Sequence, residues 1–189
     1  MKTNRPKQQT GFTLVELMVT LTILGVMLTI AAPNFQNVVK NNRIATETNR
    51  LLTDLQFARS EAMKRGVRVV LCRSGNPTTA TPECGGTANT WSNGWLIFAS
   101  GDTNNTYDSA TDTLLRVAQA STGAVTIKSN GTPNNGLEFN ANSSTNESGA
   151  TARFAVCDER GITYGRMIEI PPVGKPRLAS SVSSCTAPS

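Results

Sequence analysis

The sequence predicts an α+β protein: a long N-terminal helix whose second half carries an antiparallel β-sheet head. Three observations point there. An apolar run over residues 12–32 passes, at Pro33, into an amphipathic helical period that ends at Gly66. Beyond Gly66 the period shortens to that of strands, in seven short runs. No stretch of helical period separates those runs, which favours antiparallel pairing over parallel crossover units.

Residues 1–11, MKTNRPKQQTG, are polar and carry Lys2, Arg5 and Lys7 without an acid. Residues 12–32, FTLVELMVTLTILGVMLTIAA, are apolar in character apart from Glu16. Twenty-one residues of helix span about 31 Å, enough to cross a bilayer core. The three cations ahead of the run favour a cytoplasmic leader. An ordinary secretory signal, cut after a small residue such as Ala32, has an apolar core of about 7–15 residues. The run here is longer, and its carboxylate costs about 2–3 kcal/mol in the membrane unless it is paired. A retained acid at such a place implies a partner.

From Asn34 the helical period continues. Ile44, Leu51, Leu55, Ala58 and Ala62 form a stripe that Leu52 widens. Asn41, Asn42, Glu47, Asn49, Arg50 and Asp54 are expected mostly off it. Gly66, after Lys64 and Arg65, reads as the helix stop. The predicted strands are 67–72, 94–98, 114–118, 124–128, 137–140, 152–157 and 167–170, separated by Gly-, Asn-, Thr- and Ser-rich loops. The expected organisation is therefore a leader (1–11), a membrane or filament-core helix (12–33), an amphipathic helix (34–66) and a β-rich head (67–189).

Composition narrows the chemistry. The 189 residues include no histidine, which excludes imidazole-based triads, His-ligated zinc and imidazole pH sensing. The carboxylates are scattered through loops, and no glycine-rich phosphate loop is present. No enzymatic activity, cofactor or small-molecule substrate is expected. Cys72, Cys84, Cys157 and Cys185 sit in a head expected to be exported, so disulfides are the default reading, with three connectivities open. Cys72–Cys84 would close a short loop, and Cys157–Cys185 would tie down the C-terminal tail. A four-thiolate zinc site lacks any CxxC pair. Asp102, Asn104, Asp108 and Asp112 hint at a calcium loop, but the spacing fails the EF-hand pattern, so no metal is expected. Trp91 and Trp95 are expected in the core, and Asp158 with Arg160 as a loop-stabilising pair.

Gly11-Phe12-Thr13-Leu14-Val15-Glu16-Leu17 resembles the cleavage and N-methylation site of type IV prepilins and pseudopilins. The resemblance implies a type IV pilin fold, cleavage after Gly11 by a prepilin peptidase, and methylation of the new amino group of Phe12. Glu16 would then pair with the terminal amine of a neighbouring subunit, which supplies the partner its burial demands. Pro33 sits where pilins commonly kink the helix. The head motifs Leu71-Cys72-Arg73-Ser74, Trp91 to Phe98, Cys157-Asp158-Glu159-Arg160-Gly161 and Gly165-Arg166 narrow the resemblance to the GspH/FimT group of minor pilins. Other pilins, the peptidase and the inner membrane are the implied partners. The implied path is single-pass in the inner membrane, head in the periplasm, then the pilus.

In FimT-type pilins a Gly-Arg-x-Arg motif near the C-terminus is associated with DNA binding during natural transformation. The matching residues are Gly174-Lys175-Pro176-Arg177, where lysine keeps the charge of the first arginine but not its bidentate geometry. Residues two apart in an extended chain project to one side, so Lys175 and Arg177 can meet successive phosphates of double-stranded DNA without reading its sequence. No acid occurs from Pro171 onward. Arg160, Arg166 and Lys128 are candidate helpers. The alternative is a minor pilin or type II secretion pseudopilin that primes filament assembly without binding DNA. Bulk charge does not decide between them: of the formal +5, three charges belong to the leader.

Overall fold

The computed structural model describes residues 11–131, 136–146, 149–186 and 188, and for residues 30–34 the backbone only. The leader residues 1–10 and the side chain of Pro33, with its expected kink, lie outside that description. The chain divides into two compact units, residues 1–39 and 40–189.

Helix α1 (Leu14–Arg65) begins in the first unit. Thr13 caps it: its Oγ1 accepts the Glu16 N–H at 3.2 Å, and its carbonyl accepts the Leu17 N–H at 3.1 Å. Every large apolar side chain from Leu14 to Leu28 is at least 50% exposed. Among the described residues no helix is both long and apolar enough to cross a membrane. The run expected to do so, 12–33, extends into residues whose side chains are outside the description.

In the second unit, residues 40–65 bury the expected stripe, with Ile44, Leu51, Leu55, Ala58 and Ala62 at 0–1% exposure and Leu52 packed at its edge. Gly66 stops the helix at φ 68°, its N–H bonded to the Ala62 carbonyl at 3.0 Å in the left-handed cap that glycine adopts without steric cost. The polar residues depart from expectation. Glu47 and Asp54 are buried, because each finds partners across the core. Asp54 accepts from Trp95 Nε1 at 2.9 Å and Arg116 Nη1 at 2.5 Å. Glu47 accepts from the Thr122 N–H at 3.1 Å.

Among the described residues eight strands follow: β1 (Val69–Arg73), β2 (Trp95–Ala99), β3 (Thr113–Ala118), β4 (Thr126–Ser129), β5 (Gly136–Phe139), β6 (Ala152–Cys157), β7 (Arg166–Ile170) and β8 (Arg177–Leu178). The first seven fall on the predicted runs. β8 was not predicted. All pairings are antiparallel, but the strands form two four-stranded sheets, ordered β3-β2-β1-β5 and β4-β6-β7-β8. Helix and both sheets share one core, in which Trp91 stands edge-on to Phe154 with ring centroids 5.0 Å apart. Disulfides Cys72–Cys84 and Cys157–Cys185 are both formed. The second ties the tail over the outer face of the β4-β6-β7-β8 sheet, where Val182 covers Ala155, Cys157 and Met167.

Candidate nucleic-acid interface

The candidate residues Gly174, Lys175, Pro176 and Arg177 lie in the hairpin β7–β8. After Ile170 the chain turns through Pro171-Pro172-Val173-Gly174, closed by the Gly174 N–H on the Pro171 carbonyl at 2.8 Å. Gly174 lies at φ 71°, and a Cβ added there would meet the Ser143 carbonyl oxygen at 1.7 Å. Only glycine fits. Lys175 and Arg177 are exposed on either side of buried Pro176. Of the four motif residues, two are thus held inward and two cations are presented to solvent.

Strand pairing adds residues that the motif does not contain. Directly paired residues share a face, so Arg153 on β6, Glu169 on β7 and Arg177 on β8 form one row across the outer face. Glu169 Oε1 lies 3.3 Å from Arg153 Nε, and its Oε2 lies 3.3 Å from Arg177 Nη2. Lys128 on β4 pairs with Ala155, two residues from Arg153, and so faces the same way. Its Nζ is bonded to Thr90 Oγ1 at 2.5 Å. Among the described residues this sheet face carries Lys128, Arg153 and Arg177 against one acid, Glu169. Arg153 and Glu169 were missed from sequence; the only signal was their place as polar members of the alternating runs 152–157 and 167–170.

The other helpers fare differently. Arg166 is exposed, but it lies three positions from Glu169 and pairs with core residue Val156, so it projects to the opposite face. Arg160 is engaged within its own loop. Its guanidinium grips Asp158, with Nη2–Oδ2 at 2.7 Å, and packs on the Tyr164 ring at 4.2 Å, leaving the side chain 12% exposed. Burial pushes the Asp158 carboxyl up, but the Arg160 side chain, its backbone N–H and its charge outweigh that and hold it below the ordinary range. The same hydrogen bond, donated by Arg160 to Asp158, raises the Arg160 guanidinium further. This pair serves the loop.

In the first unit, Gly11, Phe12 and Thr13 are non-helical and exposed, so the Gly11–Phe12 bond lies in open chain just before α1. Glu16 occupies the third helical position, where the helix's positive end favours an acid, and is exposed. The acids of the 102–112 segment bond within their own loop: Asp112 accepts the N–H groups of Gly101 and Asp108, each at 2.9 Å, and Asp102 accepts that of Asn104 at 3.0 Å.

Comparison with known proteins gives two family matches. Residues 47–174 match the family described as type II transport protein GspH, and residues 6–32 match the prokaryotic N-terminal methylation motif. Two crystal forms of the type IV minor pilin FimU of Pseudomonas aeruginosa share the fold. One has a TM-score of 0.56 at 21% identity, covering 75% of this chain and 98% of that one. The other has a TM-score of 0.58 at 22% identity, covering 76% and 96%. The GspH match ends at Gly174, so Lys175 and Arg177 lie beyond it.

Proposed function

The chain belongs to the GspH family of pilin-like proteins and carries the N-terminal methylation motif, and from that membership we propose that it is a minor type IV pilin that binds double-stranded DNA during its uptake. Prepilin peptidase cleaves after Gly11 and methylates Phe12. Residues 12–33 anchor the precursor in the inner membrane with the head in the periplasm. The same helix then enters the filament, where Glu16 pairs with the terminal amine of a neighbouring subunit. The apolar surface from Leu14 to Leu28 supports this, since such a surface needs lipid or other helices around it.

The DNA reading is carried by the exposure pattern at the hairpin: Gly174 and Pro176 inward, Lys175 and Arg177 outward. Lys128 and Arg153 extend the cationic face behind them. Two to four phosphate contacts give a logarithmic salt slope of about −2 to −4, which is weak binding for one subunit. Several subunits along a pilus would raise it by avidity.

The test uses the full chain in a nonionic detergent with duplex DNA at low salt. Salt-sensitive retardation that is lost in the Lys175→Gln/Arg177→Gln variant is expected. Equal retardation by the variant moves the contact elsewhere, and no retardation by the wild type refutes DNA binding. One observation favours a second reading, filament priming in a pilus or type II secretion system without DNA: Arg177 already has a carboxylate partner. A deletion strain that transforms normally but loses twitching or secretion would select it.

A further inference from the structure

The row Arg153–Glu169–Arg177 places an acid between two arginines of the cationic face. Each carboxylate oxygen serves a different guanidinium, at 3.3 Å in both cases. With strands about 4.8 Å apart, the backbones bearing the two arginines stand about 9.6 Å from each other, and the carboxylate bridges that gap. A carboxylate between two guanidiniums occupies the place of a phosphate oxygen pair, since both anions accept charge-assisted N–H donors. Its side chain is 18% exposed, against 65% for Arg177. The cation is thus presented while its neutralising anion is held behind it.

We infer that Glu169 is an internal competitor for phosphate, which limits the affinity of this face for DNA, with Arg153 as a further contact that Glu169 holds back. The inference rests on the DNA reading above and adds its regulation. A phosphate arriving at Arg177 displaces or shares an exposed ion pair, which is weak enough to yield. Each subunit then releases one counterion fewer than its cations would allow. A single head binds poorly, and capture requires several heads acting on one duplex.

The experiment is a titration of labelled duplex by fluorescence anisotropy, full chain in nonionic detergent, across about 50–200 mM salt. Glu169→Gln frees about one more phosphate contact. It should tighten binding about eightfold at 0.1 M salt and steepen the slope by about 0.9. Arg153→Gln/Glu169→Gln restores the row's net charge and should return affinity to the wild-type value. Glu83→Gln makes the same change of net charge in an exposed loop and should leave affinity unchanged. Unchanged or weaker binding by Glu169→Gln, while Lys175→Gln/Arg177→Gln still abolishes it, overturns the inference and leaves the DNA reading standing. Tightening by Glu83→Gln as large as that by Glu169→Gln reduces the effect to bulk charge and also overturns it. Failure of both wild type and Glu169→Gln to bind overturns both readings. Should Glu169→Gln release β8 and fail to fold, Arg153→Gln tests from the other side: about eightfold weaker binding is expected, and unchanged affinity overturns the inference.

Discussion

Replacing Gly174 by alanine tests whether the motif glycine is there for the fold. Two costs follow from the structure. At φ 71° an L-residue loses about 1–2 kcal/mol to its own backbone. The new Cβ would also sit 1.7 Å from the Ser143 carbonyl oxygen, a backbone atom that no rotamer change can move away. Ser143 is fixed in turn: its N–H donates to Asn140 O at 2.8 Å, its Oγ accepts from Arg59 Nη2 at 3.2 Å, and Thr145 N–H reaches the Pro172 carbonyl at 2.9 Å. Relieving the contact adds an overpacking cost of about 1–3 kcal/mol, so the expected loss is about 2–5 kcal/mol. Gly161→Ala is the control, since Gly161 has φ 79° but nothing within 4 Å of an added Cβ, and should cost only the backbone share. Trp91 and Trp95 are both fully buried, so tryptophan fluorescence during urea denaturation reports the head. The two midpoints should separate with unchanged slopes. If Gly174→Ala costs no more than Gly161→Ala, the close approach to Ser143 is not what demands glycine, and the account of the hairpin fails.

Two further outcomes follow from buried and paired charge. Asp54→Ala leaves the Trp95 N–H and the Arg116 guanidinium without their shared acceptor. Because Arg116 is 40% exposed, the loss should be about 2–3 kcal/mol, below that of a wholly buried pair, with a shift in tryptophan emission. Asp158 is held below the ordinary aspartate value of about 3.9, so its contribution is full above that pH and is lost as pH falls through the lower folded value. Thermal midpoints measured between about pH 5 and 2.5 should fall more steeply for the wild type than for Asp158→Asn. Parallel curves would refute it.

Local periodicity carried much of the fold. The helical stripe, its glycine stop and seven strands are visible because each is a property of neighbouring residues. What was hidden is what depends on distant ones. β8 is two residues long, in a segment dominated by proline and glycine, and exists only because β7 offers it an edge. Division into two sheets depends on β1 pairing with β5 and β4 with β6, choices that alternation within a strand does not encode. Asp54 reads as a surface residue because its partner Arg116 is 62 positions away. The cysteines allowed three connectivities until proximity chose one.

The candidate site divides along the same line. Gly174 and Pro176 answer to the fold, one to a turn and a close backbone approach, the other to burial, so their presence in a motif says little about ligand. Lys175 and Arg177 face outward and differ in what they touch. Among the described residues Lys175 has no side-chain partner, so its contribution is a mobile point charge, which lysine supplies as well as arginine. Arg177 reaches Glu169 Oε2 through one nitrogen, Nη2, at 3.3 Å, and on the proposed reading its always-charged guanidinium exchanges that carboxylate for a phosphate. The departure from the Gly-Arg-x-Arg pattern therefore falls at the cation without a side-chain partner among the described residues, not at the one paired with Glu169. On the proposed reading, removing the charge altogether, as in Arg177→Gln, is the damaging change at that position, because it leaves Glu169 facing the phosphate without its partner.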